Sequence, residues 1–192
     1  MQPTNPHRIY VFDFDQTITR IHTGGCAETE AEIGEEYIRS NLKDGFVELV
    51  EYLVRNGNRT YIATYGDDSF GHGIKEASAG HALVKRYMDV AFGIDQEYFY
   101  YTEEPTGNII ARYSLDGKRH HLEQILAREG IDGNDSDLMR NLLLIDDDAD
   151  NVHYFAQRGC SILVANSPCE SAARATEAGI FHDILAQLRN KQ

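Results

Sequence analysis

Hydrophobic positions along this chain follow two recurring patterns. Short continuous apolar runs, "RIYVFDF" at 8–14, "RTYIATYG" at 59–66, "NLLLIDDD" at 141–148 and "CSILVAN" at 160–166, read as strands buried on both faces. "IIARYS" at 109–114 reads as an edge strand. Between them lie stretches of helical period. "DGFVELVEYLVRNG" at 44–57 sets Phe46, Leu49, Val50 and Leu53 on one stripe and stops at Asn-Gly. Helices are also predicted in the acidic "ETEAEIGEEYIRSN" (28–41) and over 73–93, 116–130, 150–159, 168–179 and 181–190.

Strands that alternate with helices and carry unbroken apolar runs predict a three-layer α/β/α sandwich around a mostly parallel, Rossmann-like sheet. In such sheets ligands bind beyond the carboxyl ends of the strands. Three runs place polar groups there: Asp13 and Asp15 after the first, Thr64 after the second, and Asp146, Asp147 and Asp148 after "LLLI". Single acids often follow strands as turn formers. Two clusters converging on one rim instead predict a site for a hard divalent cation, and Mg²⁺ suits an oxygen shell completed by water and substrate phosphate.

Composition narrows the field. A chain of 192 residues, 42% hydrophobic, fits a single domain over 1–192, with 66–117 as a small rim or cap-like insertion. A formal charge of −13 and the lack of a dense basic run argue against nucleic acid as a partner. Cys26, Cys160 and Cys169 form no pair at metal-ligand spacing, which favours a reducing compartment, with Cys160 a buried thiol. The polar start lacks the apolar segment of a signal peptide, and no stretch approaches membrane-spanning length, so we expect a cytoplasmic protein, without direct membrane insertion and monomeric.

"DFDQT" at 13–17 resembles the first motif of the haloacid dehalogenase-like superfamily, D-x-D-x-T, in its phosphatase branch. The resemblance implies that Asp13 attacks phosphorus and lends an oxygen to Mg²⁺. Asp15 would then serve as acid and base and bind the metal through its backbone carbonyl, while Thr17 steadies the loop. "YIATYG" is similar to the second motif, with Thr64 bonded to the phosphoryl group. "LLLIDDDADNV" at 142–152 is similar to the fourth, with Asp146 and Asp147 in the metal shell and Asn151 in support. Lys118, 28 residues before Asp146 at a helix start, takes the family's third-motif place; Arg119 and the mid-helix Lys85 are its rivals. His120 and His121 are expected on the helix surface. Thr17, Tyr65, Gly66 and Arg119 complete the candidate substrate contacts.

Only 50 residues separate Asp13 from Thr64, and 53 separate Thr64 from Lys118, which leaves no room for a large cap. The chain thus resembles minimally capped members, some of which act on phosphoproteins. The aromatic run Tyr98, Phe99, Tyr100 and Tyr101 is a candidate wall for a phosphotyrosine ring, or an ordinary packed strand. The expected function is a Mg²⁺-dependent phosphomonoester hydrolase working through an aspartyl phosphate, with protein tyrosine phosphate as substrate. The alternatives are a small-metabolite phosphatase for sugar phosphates or nucleotides, and a non-catalytic partner-binding domain.

Overall fold

The computed structural model describes residues 8–23, 28–29, 33–66, 68–71, 77–101, 107–164 and 179–190. In chain order the strands are β1 (Ile9–Phe12), β2 (Glu28–Thr29), β3 (Arg59–Thr64), β4 (Ala77–Ser78), β5 (Ile109–Ala111), β6 (Leu142–Asp146) and β7 (Ser161–Val164). The helices are α1 (Glu35–Asn41), α2 (Phe46–Arg55), α3 (Gly80–Phe92), α4 (Arg119–Glu129), α5 (Ser136–Met139), α6 (Ala149–Gln157) and α7 (Ile180–Arg189).

Five strands form one parallel sheet in the order β5-β3-β1-β6-β7. The chain starts in the middle, builds outward through β3 to the edge at β5, and returns to the other side of β1 with β6. The strand order therefore reverses between β1 and β6, where an α/β sheet opens a crevice at its carboxyl rim. Phe12 lies opposite Ile145, so Asp13 and Asp146 emerge side by side at that reversal.

Alternate residues of each strand serve opposite layers. Tyr10, Phe12, Ile62 and Ile145 pack with α1, α2, α3 and α7, whereas Ile9, Val11, Tyr61, Ala63 and Leu144 pack with α4, α5 and α6. The apolar runs are unbroken because both faces are covered. In the first layer Phe46 sits among Phe12, Phe92, Phe99 and Phe181, at centroid distances of 5.3–6.2 Å. Gly45, which precedes it, has φ +80°, and a Cβ there would lie 2.9 Å from the His182 ring, so only glycine lets α2 approach α7 this closely.

Several predicted elements change. The acidic segment 28–41 is not one helix: Glu28–Thr29 pairs antiparallel with Ala77–Ser78, and α1 begins only after Gly34, whose extended backbone starts it. The helix predicted over 73–93 accordingly begins at Gly80. Much of the presumed rim insertion belongs to the main layers, with Leu83, Val84, Tyr87 and Met88 of α3 in the core and β5 in the sheet. The polar loop 132–137 gains the short helix α5, capped by the Asp135 carboxylate. The helix predicted over 168–179, and Cys26 and Cys169, lie outside the described residues, apart from Gly179. Cys160 is buried, and burial pushes its thiol up to about 11. Among the described residues no helix is long and apolar enough to cross a membrane.

Phe46 is fully buried and touches rings from both sheet and helices. Phe46→Ala is expected to cost about 3–5 kcal/mol, read as a lowered denaturant midpoint with an unchanged slope.

Candidate active site

The carboxyl ends of β1, β3 and β6 open into a cleft of about 350 Å³ whose walls include Asp13, Asp15, Thr64, Tyr65, Lys118, Asp146, Asp147 and Asn151. Asp13 follows β1 directly and its backbone N–H donates to the Ile145 carbonyl at 2.9 Å, which continues the ladder one step beyond the strand. Asp146 ends β6 with its side chain 0% exposed. Oxygens of Asp13, Asp146 and Asp147 lie within 4.8 Å of one another. Three clustered carboxylates repel one another, so the site depends on what offsets them.

Lys118 supplies the first offset. It stands at the start of α4, 4% exposed, and its ammonium donates to Asp13 Oδ1 at 2.5 Å and to the Ala63 carbonyl, with Asp146 Oδ2 at 3.6 Å. Burial disfavours this charge, but the Asp13 and Asp146 carboxylates outweigh it and hold the Lys118 pKa above the ordinary lysine value. Burial pushes the Asp13 carboxyl up to about 7, with Asp146 adding to the rise and Lys118 opposing it. Asp147 is also raised, by burial and by Asp146. Neutral donors supply the rest. Asn151 Nδ2 donates to both Asp146 oxygens at 3.2 and 3.3 Å, the Asp148 N–H donates to Asp146 at 2.8 Å, and the Thr17 hydroxyl donates to Asp147 at 3.3 Å. Lys118 and the nearby Lys43 are still fewer than the three carboxylates, and an all-oxygen donor set could hold a hard cation such as Mg²⁺.

Asp15 lies in the same cleft, held by the loop that follows β1. Its Oδ1 accepts from the Thr23 N–H at 3.0 Å and the Thr23 hydroxyl at 2.8 Å, and His22 Nδ1 is 3.1 Å from its Oδ2. The loop is fastened from beneath: Asn41 Oδ1 accepts from the N–H groups of Arg20 and Ile21, while Asn41 Nδ2 donates to the Tyr87 hydroxyl at 3.0 Å. At its turn Gln16 takes φ +56°, a left-handed conformation that is unusual for a side chain larger than glycine. The Thr19 hydroxyl accepts from the Gln16 N–H, and Lys43 donates to the Gln16 carbonyl.

Thr64 ends β3 with its carbonyl fixed by the Arg112 N–H at 3.1 Å and by His121 Nε2 at 2.9 Å. A carbonyl only accepts, so Nε2 of His121 carries the proton. Burial, followed by the Lys118 charge, lowers the His121 pKa to about 3 and keeps the ring neutral. His121 is thus fully buried beside the cleft and not on the helix surface as expected, because α4 turns His121, Leu122, Ile125 and Leu126 inward together.

Other candidates fall elsewhere. Thr17 is buried and acts on Asp147, away from the cleft wall. Gly66 packs against Gly80, where a Cβ would lie 3.5 Å from the Gly80 Cα. Arg119 lies exposed along α4, paired with Glu123 at 2.9 Å, and Lys85 pairs with Asp89 on α3. Tyr98 and Tyr100 line a different depression beside Arg59 and Thr60, at the opening end of β3, so the aromatic run does not wall this cleft. Nor is it a strand; Phe99 alone of the four is fully buried. Sequence reasoning passed over Lys43, whose ammonium the Asp147 and Asp13 charges favour while burial lowers its pKa, and also His22, Thr23 and Tyr113. No motif marks them; His22 and Thr23 reach the site on the loop after β1, Lys43 on the connection between α1 and α2, and Tyr113 just beyond β5.

Neither a protein-family profile nor a curated protein sequence matches the chain. Solved structures do. The likeness is one of fold, an α/β fold with a five-stranded parallel sheet covered by helices on both faces. A substrate-bound phosphoserine phosphatase is 16% identical over 95% of this chain and 99% of its own, with a TM-score of 0.55. A predicted HAD-like family hydrolase from Porphyromonas gingivalis is 10% identical over 98% of this chain and 100% of its own, with a TM-score of 0.47. A phosphatase-domain protein from Bacteroides fragilis, solved as a complex with Mg, is 11% identical over 82% of this chain and 35% of its own, with a TM-score of 0.44.

Replacing Lys118 by Met leaves Asp13 and Asp146 buried without their cation. In metal-free protein this is expected to cost about 3 kcal/mol. Adding Asp13→Asn should recover more than about 1 kcal/mol of that loss in a double-mutant cycle by chemical denaturation. Additive effects would show that the contact contributes nothing.

Proposed function

We propose that the protein is a Mg²⁺-dependent phosphomonoester hydrolase that forms a phosphoryl intermediate on Asp13. The observation that carries this reading is the contact of Lys118 with both Asp13 and Asp146 at the point where the strand order reverses. The fold shared with a phosphoserine phosphatase supports it. The carboxylates of Asp13, Asp146 and Asp147 and the backbone carbonyl of Asp15 would hold the ion, which supplies charge neutralisation for the phosphoryl oxygens.

In this mechanism an Asp13 oxygen attacks phosphorus as the bond from phosphorus to the ester oxygen breaks. Asp15 gives its proton to the departing oxygen. It then takes a proton from the water that attacks phosphorus, releasing inorganic phosphate and restoring the Asp13 carboxylate. Lys118 and the Thr64 hydroxyl stabilise the charge on the transferring group. Thr23 and His22 keep Asp15 in the cleft wall, and His121 keeps Thr64 in place through its carbonyl. The cleft has no large domain over it among the described residues, which suits a phosphate borne on a protein side chain.

Turnover, trapping of the intermediate and metal-dependent stability test this reading. Hydrolysis of an aryl phosphate should require Mg²⁺ and stop in EDTA. Asp15→Asn should lower kcat by about 10²–10⁴, and acid-quenched wild-type protein should carry phosphate on Asp13 by peptide mass spectrometry. Full activity in EDTA, or an Asp13→Asn variant as fast as wild type, would overturn the mechanism. Independently of turnover, Mg²⁺ at about 100 times its Kd should raise stability by about 2.7 kcal/mol, and Asp146→Asn should abolish that gain.

A further inference from the structure

The aromatic run at 98–101 is remote from the cleft, yet the cleft has an aromatic wall of its own. Tyr65 lines it, immediately after Thr64, and Tyr113 packs on Tyr65 with ring centroids 4.7 Å apart at 55°. Both rings are large apolar surfaces left in solvent, 45% and 44% exposed, and neither belongs to either core cluster. The core does not need them. Their backbone is nevertheless well held. Thr64 lies opposite Ala111 in the sheet, and the Thr64 carbonyl receives both the Arg112 N–H and His121 Nε2. Interaction with the Tyr113 phenol pushes the Tyr65 pKa up to about 12, and the two rings meet at a tilt. β5 is the edge strand, and among the described residues no further strand covers this side.

We propose that Tyr65 and Tyr113 form the leaving-group subsite of the cleft and that it takes an aromatic ring, so that the preferred substrate is an aryl phosphomonoester such as a phosphotyrosine side chain. This deepens the phosphatase reading and rests on it. Tyrosine offers a rigid ring face at small entropic cost, and paired rings favour tilted or edge contacts with a third ring over contact with an alkyl chain. Position supports the choice. Tyr65 lines the same cleft as Thr64, the group assigned to the phosphoryl oxygens, so its ring is a candidate wall for a ring attached directly to the ester oxygen; a nucleobase lies a whole sugar further out. The phenol oxygen, with a pKa near 10, is also the easier leaving group. That advantage acts on kcat for any phosphatase of this type, so binding must be separated from turnover.

The test uses phenylphosphonate and propylphosphonate, which cannot be hydrolysed, with the full chain in Mg²⁺ by calorimetry. Wild type should bind the phenyl compound about tenfold more tightly, on the scale of one aromatic pair. Tyr65→Ala should erase that preference, Tyr65→Phe should keep most of it, and Tyr113→Ala should weaken it by leaving Tyr65 unsupported. Equal affinity for the two compounds in wild type, or the same preference in Tyr65→Ala, overturns the subsite while leaving the Asp13 chemistry intact. If neither compound binds, the phosphatase reading fails and the subsite fails with it. Comparison of kcat/KM for a phosphotyrosine peptide and for free phosphotyrosine then separates the two sources of the ring: a peptide advantage points to protein substrates, equality to small aryl phosphates.

Discussion

Mutual repulsion among carboxylates that water scarcely reaches is the constraint on which this molecule is organised. Asp13 and Asp146 stand at the ends of adjacent strands because β1 and β6 are parallel neighbours in register. In that position they need a counter-charge that cannot drift away. Lys118 meets the need only because α4 begins beneath the rim, and α4 is kept there by its own buried stripe of His121, Leu122, Ile125 and Leu126. Asn151 reaches Asp146 because α6 starts directly after β6. Packing of both layers thus converges on holding like charges together, in a group of acids that could hold a metal ion.

The cationic first turn of α4 shows how local and global requirements compete. Positive charge at a helix N-terminus opposes the macrodipole by a few tenths of a kcal/mol up to about 1 kcal/mol. A buried ammonium facing two carboxylates outweighs that. The left-handed Gln16 is a similar case: its unfavourable backbone is held by Thr19 and Lys43 and lets the chain reverse between Asp15 and Thr17 within a few residues. Asn41 extends the same restraint to α1 and α3, so the loop bearing Asp15, His22 and Thr23 is coupled to the core.

Strands, their order of burial and the acids that follow them were legible in the residues themselves, since a parallel sheet covered on both faces leaves continuous apolar runs and a polar rim. The meeting of Lys118 with Asp13 was legible through motif spacing. His121 was available too: it falls in the stripe with Leu122, Ile125 and Leu126, while its neighbour His120 does not. What could not be read was non-local. Two residues, Glu28 and Thr29, become a strand only because Ala77 and Ser78 come alongside. The run from Tyr98 to Tyr101 carries no period that says which end of the sheet it faces; that is set by the path between α3 and β5. Lys43 and Tyr113 have no motif, and their nearness to the site comes from tertiary folding alone.

The register of β1 on β6 also limits how such a chain can vary. Neighbouring strands lie about 4.8 Å apart, close to the span across which one small ion can join two carboxylates. That match holds only while Phe12 stays opposite Ile145. Loss or gain of one residue within 142–145 would send the following acid to the opposite face of the sheet, among the apolar groups of one layer, and exchange its partners as well. Side chains along these strands are therefore free to change in size more readily than the strands are free to change in length. Insertions belong instead in the connections beyond the rim, where they alter what enters the cleft and leave the spacing of its charges untouched.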